Sequence, residues 1–274
     1  MLTQIQEWYT PSSISEAVEL LKRSDIKPYG GGTTLLRGSG RKLRGLIDLR
    51  RLALDSIETD AKMVMIGAKA TFNQVIQQNW SDGRQILGTA LSQAASPSLR
   101  NLITIGGSLV ARPSWSNLIG PLLLLEAQVE VAGEESGSYV IAEILRRRML
   151  RGKSLVLKVV LPPSPGNSCY FRFSRTAFDY SVAELSAYWE IAADRVQKLR
   201  LVVGNLVAVA QRLPNTEAQL IGRALPDLTE EQVTLKDHLR LIANPNFSDD
   251  FRLNLINRWL QQLVGKMKEQ TNAG

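Results

Sequence analysis

Two short glycine-rich stretches carry the clearest chemistry in this 274-residue chain. Gly30-Gly31-Gly32-Thr33-Thr34 offers consecutive amides without Cβ atoms and two hydroxyls; Thr104-Ile105-Gly106-Gly107-Ser108 offers a second concavity of the same kind. A backbone without Cβ atoms can turn its N–H groups onto an anion at close range. Neither stretch runs into Gly-Lys-Ser/Thr, and neither reads Gly-x-Gly-x-x-Gly at the head of a helix, so the P-loop and Rossmann fingerprints are excluded. Two readings stay open on pattern alone: a pair of diphosphate cradles, or glycines that only make tight turns.

Other chemistries fall away by count. One cysteine, Cys169, cannot make an internal disulfide or ligate an iron–sulfur cluster, which takes about four thiolates. One histidine, His238, leaves little for a zinc site or a histidine-based hydrolase triad. Cys169 reads as a small strand residue, and His238 as a surface or packing residue on a helix near the end of the chain. Trp115, a few residues past the second glycine stretch, either packs or approaches a ligand. The net charge of +7 suits nucleic acid, an anionic cofactor or an acidic partner. No apolar run approaches the ~20 residues of a membrane span, and the first residues lack the pattern of a secretory signal, so the expected location is cytoplasmic.

The elements that must position these residues read as three parts, 1–55, 56–165 and 166–274. Ser12 or Ser13 caps a helix with Glu16 in its first turn, and Lys27-Pro28 is expected to stop it before the glycine turn. Gly45–Leu49 and Met63–Ile66 read as strands; Thr71 caps a helix facing inward through Phe72, Val75 and Ile76. Ser96-Pro97 breaks the chain, and Ile103–Leu109 reads as β-like residues interrupted by the glycine pair. Pro121 suits the first turn of a helix, and strands recur at Gln128–Val131, Tyr139–Ile141 and Ser154–Leu161. Pro162–Gly166 reads as a linker. Alternation from Ala183 to Ile191 predicts a half-buried antiparallel strand with Glu184, Ser186 and Glu190 outward, beside a neighbour at Lys198–Val203. Three helices are expected after it, near Thr216–Ile221, after a Thr229 cap, and from a Ser248 cap through Met267.

Pro28-Tyr29-Gly30-Gly31-Gly32-Thr33-Thr34-Leu35-Leu36, Leu46–Leu49, Leu99–Leu109 and Pro121–Ala127 keep one order and spacing. With Phe178–Val182, Lys198–Gly204 and Asp249–Arg252, they extend that pattern over nearly the whole chain. The sequence resembles the FAD-binding medium subunits of the molybdenum hydroxylases, the xanthine dehydrogenase and carbon monoxide dehydrogenase flavoprotein group. The resemblance implies an α+β fold: a two-part FAD-binding domain of the PCMH type, then a small α+β domain with an antiparallel sheet and helices. It implies an oxidoreductase subunit that takes electrons from a partner's iron–sulfur clusters through FAD to an acceptor such as NAD. Hydroxylation would take place on a molybdopterin-bearing partner.

The same resemblance assigns the site. Pro28, Tyr29, Gly30, Gly31, Gly32, Thr33, Thr34 and Leu35 would wrap the FAD diphosphate, and Thr104, Gly106, Gly107 and Ser108 would close on it from the other side. Ala94 to Ser96 would lie near the flavin ring, Val156 against it, and Arg172 near its edge. Asn117 stands where the family usually places an aspartate bonded to ribose or ribityl hydroxyls; an amide keeps the acceptor and loses the charge.

Two readings compete. A basic nucleic-acid-binding protein would use the charge surplus, yet the chain has no helix-turn-helix, RRM or zinc signature and few stacking aromatics. A structural subunit of the same fold that has lost flavin would fit Asn117 and the short basic block Gly133–Gly152. Within Ile144–Lys158, which holds no acid, Arg146, Arg147, Arg148, Arg151, Lys153 and Lys158 form either a docking face or a solvated loop.

Overall fold

Side-chain caps at Ser13, Thr71 and Ser248 start three helices where the sequence places them. In the computed structural model, which describes residues 5–35, 43–60, 62–147, 149–150 and 153–271, a short strand β1 (Glu7–Tyr9) precedes α1 (Ile14–Leu21). Leu36, Arg148 and Arg151 lie outside the described residues. Ser13 caps α1 by accepting the Glu16 amide at 3.2 Å, while the Glu16 carboxylate turns back to the Ser12 amide at 2.8 Å. The helix ends at Leu21, ahead of Lys27-Pro28, which instead lies in β2 (Ile26–Tyr29). This corrects the expected helix stop. β2 edges a parallel sheet in the order β1-β3-β2, with β3 at Gly45–Asp48, and an edge strand tolerates the missing proline donor.

The chain divides into two units. The first takes residues through Gln78, Ala95–Arg112 and Glu126–Pro163; the second takes Asn79–Ala94, Pro113–Leu125 and Ser164 onward. Beyond β3, the first unit continues through β4 (Ile57–Thr59), β5 (Val64–Gly67) and α2 (Phe72–Ile76). Thr71 and Gln74 close a reciprocal capping box on α2, with the Thr71 amide 2.7 Å from Gln74 Oε1. Removing it by Thr71→Ala is expected to cost about 1 kcal/mol, read as a lower denaturant midpoint with unchanged slope.

α3 (Gln85–Ser92) belongs to the second unit, and the chain then returns through α4 (Pro97–Arg100) to α5 (Ile105–Ala111). Here the β-like reading of Ile103–Leu109 is corrected. Thr104 Oγ1 accepts the Gly107 amide at 3.2 Å, and Ile105 and Leu109, one helical turn apart, are both fully buried. A cap plus an i,i+4 apolar pair outweighs the β preference of the isoleucines. Ser96-Pro97, expected as a break, opens α4, with Ser96 as its cap and Pro97 in its first turn. After α6 (Ile119–Leu124) of the second unit come β6 (Gln128–Gly133), β7 (Gly137–Val140), α7 (Ile141–Arg147) and β8 (Ser154–Leu161). They complete an antiparallel sheet in the order β4-β5-β8-β6-β7.

The second unit is built on β9 (Asn167–Phe173), β10 (Ala183–Ala192), β11 (Arg195–Gly204) and β12 (Gln211–Arg212), antiparallel in the order β12-β11-β10-β9. Pro162–Gly166 joins β8 to β9; Ser164 is buried and its carbonyl accepts the Gly83 amide at 2.8 Å. Ala183, Leu185, Ala187 and Trp189 share a core with Ile256, Leu260, Leu263 and Met267. Those last residues come from a long helix; with α8 at Pro214–Glu217, it is α9 (Asp249–Thr271).

Three sequence expectations are corrected in this unit. Glu184, Ser186 and Tyr188 on the opposite face of β10 are buried too, because α3 and α6 cover that side. The Thr229 segment forms only a 3-10 turn at Glu230–Gln232, and Thr229 makes no side-chain cap bond. His238 lies outside any helix, its carbonyl accepting Gln211 Nε2 at 3.3 Å. Among the described residues, no helix is long and apolar enough to cross a membrane.

Candidate functional site

The first unit brings the two glycine stretches together. β2 ends at Tyr29, and the following loop runs against the backbone just before α5. A Cβ on Gly31 would overlap the Leu102 carbonyl oxygen and lie 2.5 Å from its carbon; one on Gly30 would lie 3.0 Å from Thr104 Oγ1. Gly32 takes φ +74°, and a Cβ there would meet the Tyr29 ring at 2.7 Å. These contacts explain the glycines as close backbone approach at Gly31 and left-handed geometry at Gly32. The Leu102–Thr104 segment is held from behind, because the Phe72 amide donates to the Ile103 carbonyl at 2.9 Å and Thr71 bridges Thr104.

The two stretches differ in what they offer. No carbonyl among the described residues accepts the Gly31, Gly32, Thr33, Thr34 or Leu35 amide. Among the described residues these five amides thus meet no carbonyl acceptor, and Thr33 and Thr34 add hydroxyls. In the second stretch, Ile105 donates to Ala70 at 3.0 Å and Gly106 to Ala68 at 2.8 Å. Gly107 donates to the Thr104 side chain, and Ser108 to the Thr104 carbonyl at 2.9 Å. A Cβ on Gly106 would stand 2.7 Å from that of Ala68, so this glycine seats α5 against the end of β5. The second stretch therefore supports the first loop and shapes its surroundings rather than adding spare amides.

Ser96 is occupied as the α4 cap, its Oγ accepting the Leu99 amide at 3.4 Å. Val156 is buried in β8, paired with Val131, and alternates with Leu155 and Leu157, which pack towards α1. Neither is hydrogen-bonded to the glycine stretches among the described residues. In the second unit, Ala94 sits buried in the turn after α3, its amide 3.0 Å from the Leu91 carbonyl. Asn117 is buried, with Nδ2 3.5 Å from the Ala90 carbonyl and its side chain bonded to Tyr170. Arg172 on β9 donates to Ser174 Oγ at 2.6 Å and to the Asp179 carbonyl, leaving its buried Nε without a protein acceptor among the described residues.

A carboxylate that the sequence placed outward lies between Asn117 and Arg172 in this network. Glu184 pairs across the strands with Arg172 and accepts Tyr170 Oη at 2.5 Å and Asn205 Nδ2 at 3.2 Å. Burial raises its carboxyl to about 7, against the pull of Tyr170, Arg172 and Asn205, and burial pushes the Tyr170 phenol well above its usual range. Nothing within a single strand announces this group, since it depends on the β9–β10 register and on α6 packing above it.

The remaining candidates take ordinary roles. Burial pushes the Cys169 thiol up to about 12, so it is no thiolate nucleophile. Trp115 packs on Tyr180 with ring centres 4.5 Å apart, both rings exposed. Arg146 is exposed, Arg147 pairs with Glu143 at 2.8 Å, and Lys158 pairs with Glu130 at 3.3 Å.

A glycine loop pressed on a second glycine segment, followed by a four-stranded antiparallel sheet under one long helix, defines a two-part α+β protein. Residues 3–164 match the FAD binding domain in molybdopterin dehydrogenase, and residues 168–267 the CO dehydrogenase flavoprotein C-terminal domain. The chain belongs to the FAD-binding medium subunits of the molybdenum hydroxylases and is an oxidoreductase subunit. It is similar to the nicotine 6-hydroxylase medium subunit of Paenarthrobacter nicotinovorans, with 26% identity over 93% of this chain and 94% of that one. It is 22% identical to the xanthine dehydrogenase FAD-binding subunit of Escherichia coli O157:H7, over 94% of each chain. Its fold matches the solved carbon monoxide dehydrogenase from Hydrogenophaga pseudoflava with a TM-score of 0.86 at 22% identity, covering 96% of both chains.

Proposed function

We propose that this chain is the electron-transfer flavoprotein of a multi-subunit molybdenum hydroxylase. FAD held here would supply the redox chemistry, linking a partner's iron–sulfur clusters to an acceptor such as NAD. The observation that carries the reading is the loop from Gly31 to Leu35, whose amides meet no carbonyl among the described residues and which is closed against Leu102 and Thr104. It suits a diphosphate: five successive amides meet no carbonyl acceptor among the described residues, two of them on glycines, and no acidic side chain occurs from Pro28 to Leu35.

The family resemblance implies the division of labour among residues. The Gly31–Leu35 amides and the Thr33 and Thr34 hydroxyls bind phosphate oxygens. Asn117 accepts a sugar or ribityl hydroxyl, Val156 and the Ala94–Ser96 turn provide surface for the ring, and Arg172 places a positive charge at its edge. Substrate oxidation belongs to a molybdopterin-bearing partner, and a single cysteine here requires that the clusters sit on another polypeptide.

Titration of FAD into the purified apo chain, followed by quenching of flavin fluorescence, tests the reading. One FAD per chain with a Kd below about 1 μM is expected. No binding at about 50 μM would instead make this a structural subunit that has lost its flavin.

A further inference from the structure

Asn117 poses a problem of direction. A carboxylate presents acceptor oxygens whichever way it turns, whereas an amide presents an acceptor only if its Nδ2 is tied down elsewhere. The structure supplies the tie. Nδ2 faces the Ala90 carbonyl at 3.5 Å, and the same side chain is bonded to Tyr170, whose hydroxyl donates to Glu184 at 2.5 Å. A Tyr hydroxyl has one proton; once it is given to Glu184, the oxygen can only accept, and the partner it accepts from is the Asn117 amide N–H. Oδ1 is thereby turned away from the network.

Glu184 is itself fixed in place. Its Oε2 takes both the Tyr170 hydroxyl and Asn205 Nδ2, and its Oε1 fills the space beside Gly120 and Gly204. A Cβ on Gly120 would lie 2.6 Å from Oε1, and one on Gly204 would overlap it. Two glycines on different elements, α6 and the end of β11, thus leave room for one carboxyl group that is 1% exposed. Arg172 stands directly across the β9–β10 ladder from it.

We propose that Tyr170 and Glu184 are positioning residues that orient the Asn117 amide, so that Oδ1 serves as a fixed hydroxyl acceptor for FAD in place of an aspartate. The proposal rests on the flavin-binding function above. The charged and titratable groups facing Glu184 are Tyr170 and Arg172 of β9; α3 and α6, which cover this face, carry none. The relay is strongest when Glu184 is a carboxylate, because a protonated acid can give its own hydrogen to Tyr170 and release the ordering of the chain.

The test is FAD titration of the full apo chain by flavin fluorescence, with circular dichroism confirming that each variant folds. Tyr170→Phe should weaken FAD binding about tenfold, and Asn117→Ala by a similar factor. The double variant should be no more than about twofold weaker than Asn117→Ala alone, because Tyr170 acts only through Asn117. In the wild type, affinity should rise about tenfold from pH 6 to pH 8, and Glu184→Gln should flatten that profile. Should Tyr170→Phe fail to fold, the Glu184→Gln profile decides on its own. Unchanged affinity in Tyr170→Phe, or simple additivity in the double variant, overturns the positioning role while flavin binding stands. Unchanged affinity in Asn117→Ala overturns it too, by removing Asn117 from the site. Absence of FAD binding in the wild type overturns the functional reading itself.

Discussion

Gly31→Ala is expected to release FAD while leaving the protein folded. The added Cβ would overlap the Leu102 carbonyl, and that carbonyl has nowhere to go. Its peptide is held on both sides: the Leu102 and Ile103 amides both reach Leu99 at 2.9 Å, and the Ile103 carbonyl takes the Phe72 amide. The glycine loop must therefore retreat by roughly 2 Å, the difference between overlap and ordinary contact. A shift of that size breaks amide–phosphate hydrogen bonds, which fail beyond about 3.5 Å. Charge-assisted bonds contribute about 1.5–3 kcal/mol each, so losing two lowers affinity by a hundredfold or more. The ratio of flavin to protein absorbance after gel filtration reads this directly. Gly30→Ala should be milder, because its Cβ meets only the Thr104 side chain at 3.0 Å, which can rotate at the expense of the α5 cap. Gly265→Ala, in the middle of α9 with only the flexible end of Glu230 at 3.1 Å, should retain FAD and serve as the control. A Gly31→Ala protein that stays fully yellow would remove the first glycine loop from the site.

Where chemistry is local, the sequence announces it. Ser13 and Thr71 cap the helices they precede because a hydroxyl and the amide three residues on are already neighbours in the chain. The closeness of Gly31 to Leu102 is different. Pattern could mark both glycine stretches as unusual, but only the resemblance put them in one site, and only the fold reveals that their roles differ. Thr104–Leu109 shows why: β-branched residues around a glycine pair look extended until the Thr104 cap and the buried Ile105–Leu109 pair are seen together. Glu184 shows the deeper limit. Alternation along β10 correctly separates its two faces, and says nothing of what covers each. The polar side becomes interior because α3 and α6, drawn from 79–94 and 113–125, pack on the same unit. A carboxyl that reads as solvated is then one of the most buried groups in the chain.

That burial makes Glu184→Gln the substitution with the largest expected effect on stability, and its sign depends on pH. In the folded protein, burial raises the Glu184 carboxyl to about 7, from 4.5 when exposed. Between these values the folded state holds a proton that the unfolded chain has released. Stability from this group is complete below pH 4.5, falls as pH rises towards 7, and above 7 has been lost by about 3 kcal/mol. Glutamine fills the same space and cannot titrate. The stability difference, variant minus wild type, should therefore climb by about 3 kcal/mol from pH 5 to pH 8 and then level off. Any fixed change in hydrogen bonding to Tyr170 and Asn205 moves the whole curve without altering that slope. Urea unfolding followed by tryptophan fluorescence at four pH values measures it, and parallel curves would mean that Glu184 does not titrate in this range. A carboxylate carrying such a penalty at neutral pH is retained against stability, which is the pattern of functional sites. The same variant should thus be more stable than wild type at pH 8 and bind FAD more weakly there. Those opposite movements separate a positioning role from a structural one, since a merely structural carboxylate would move both in the same direction.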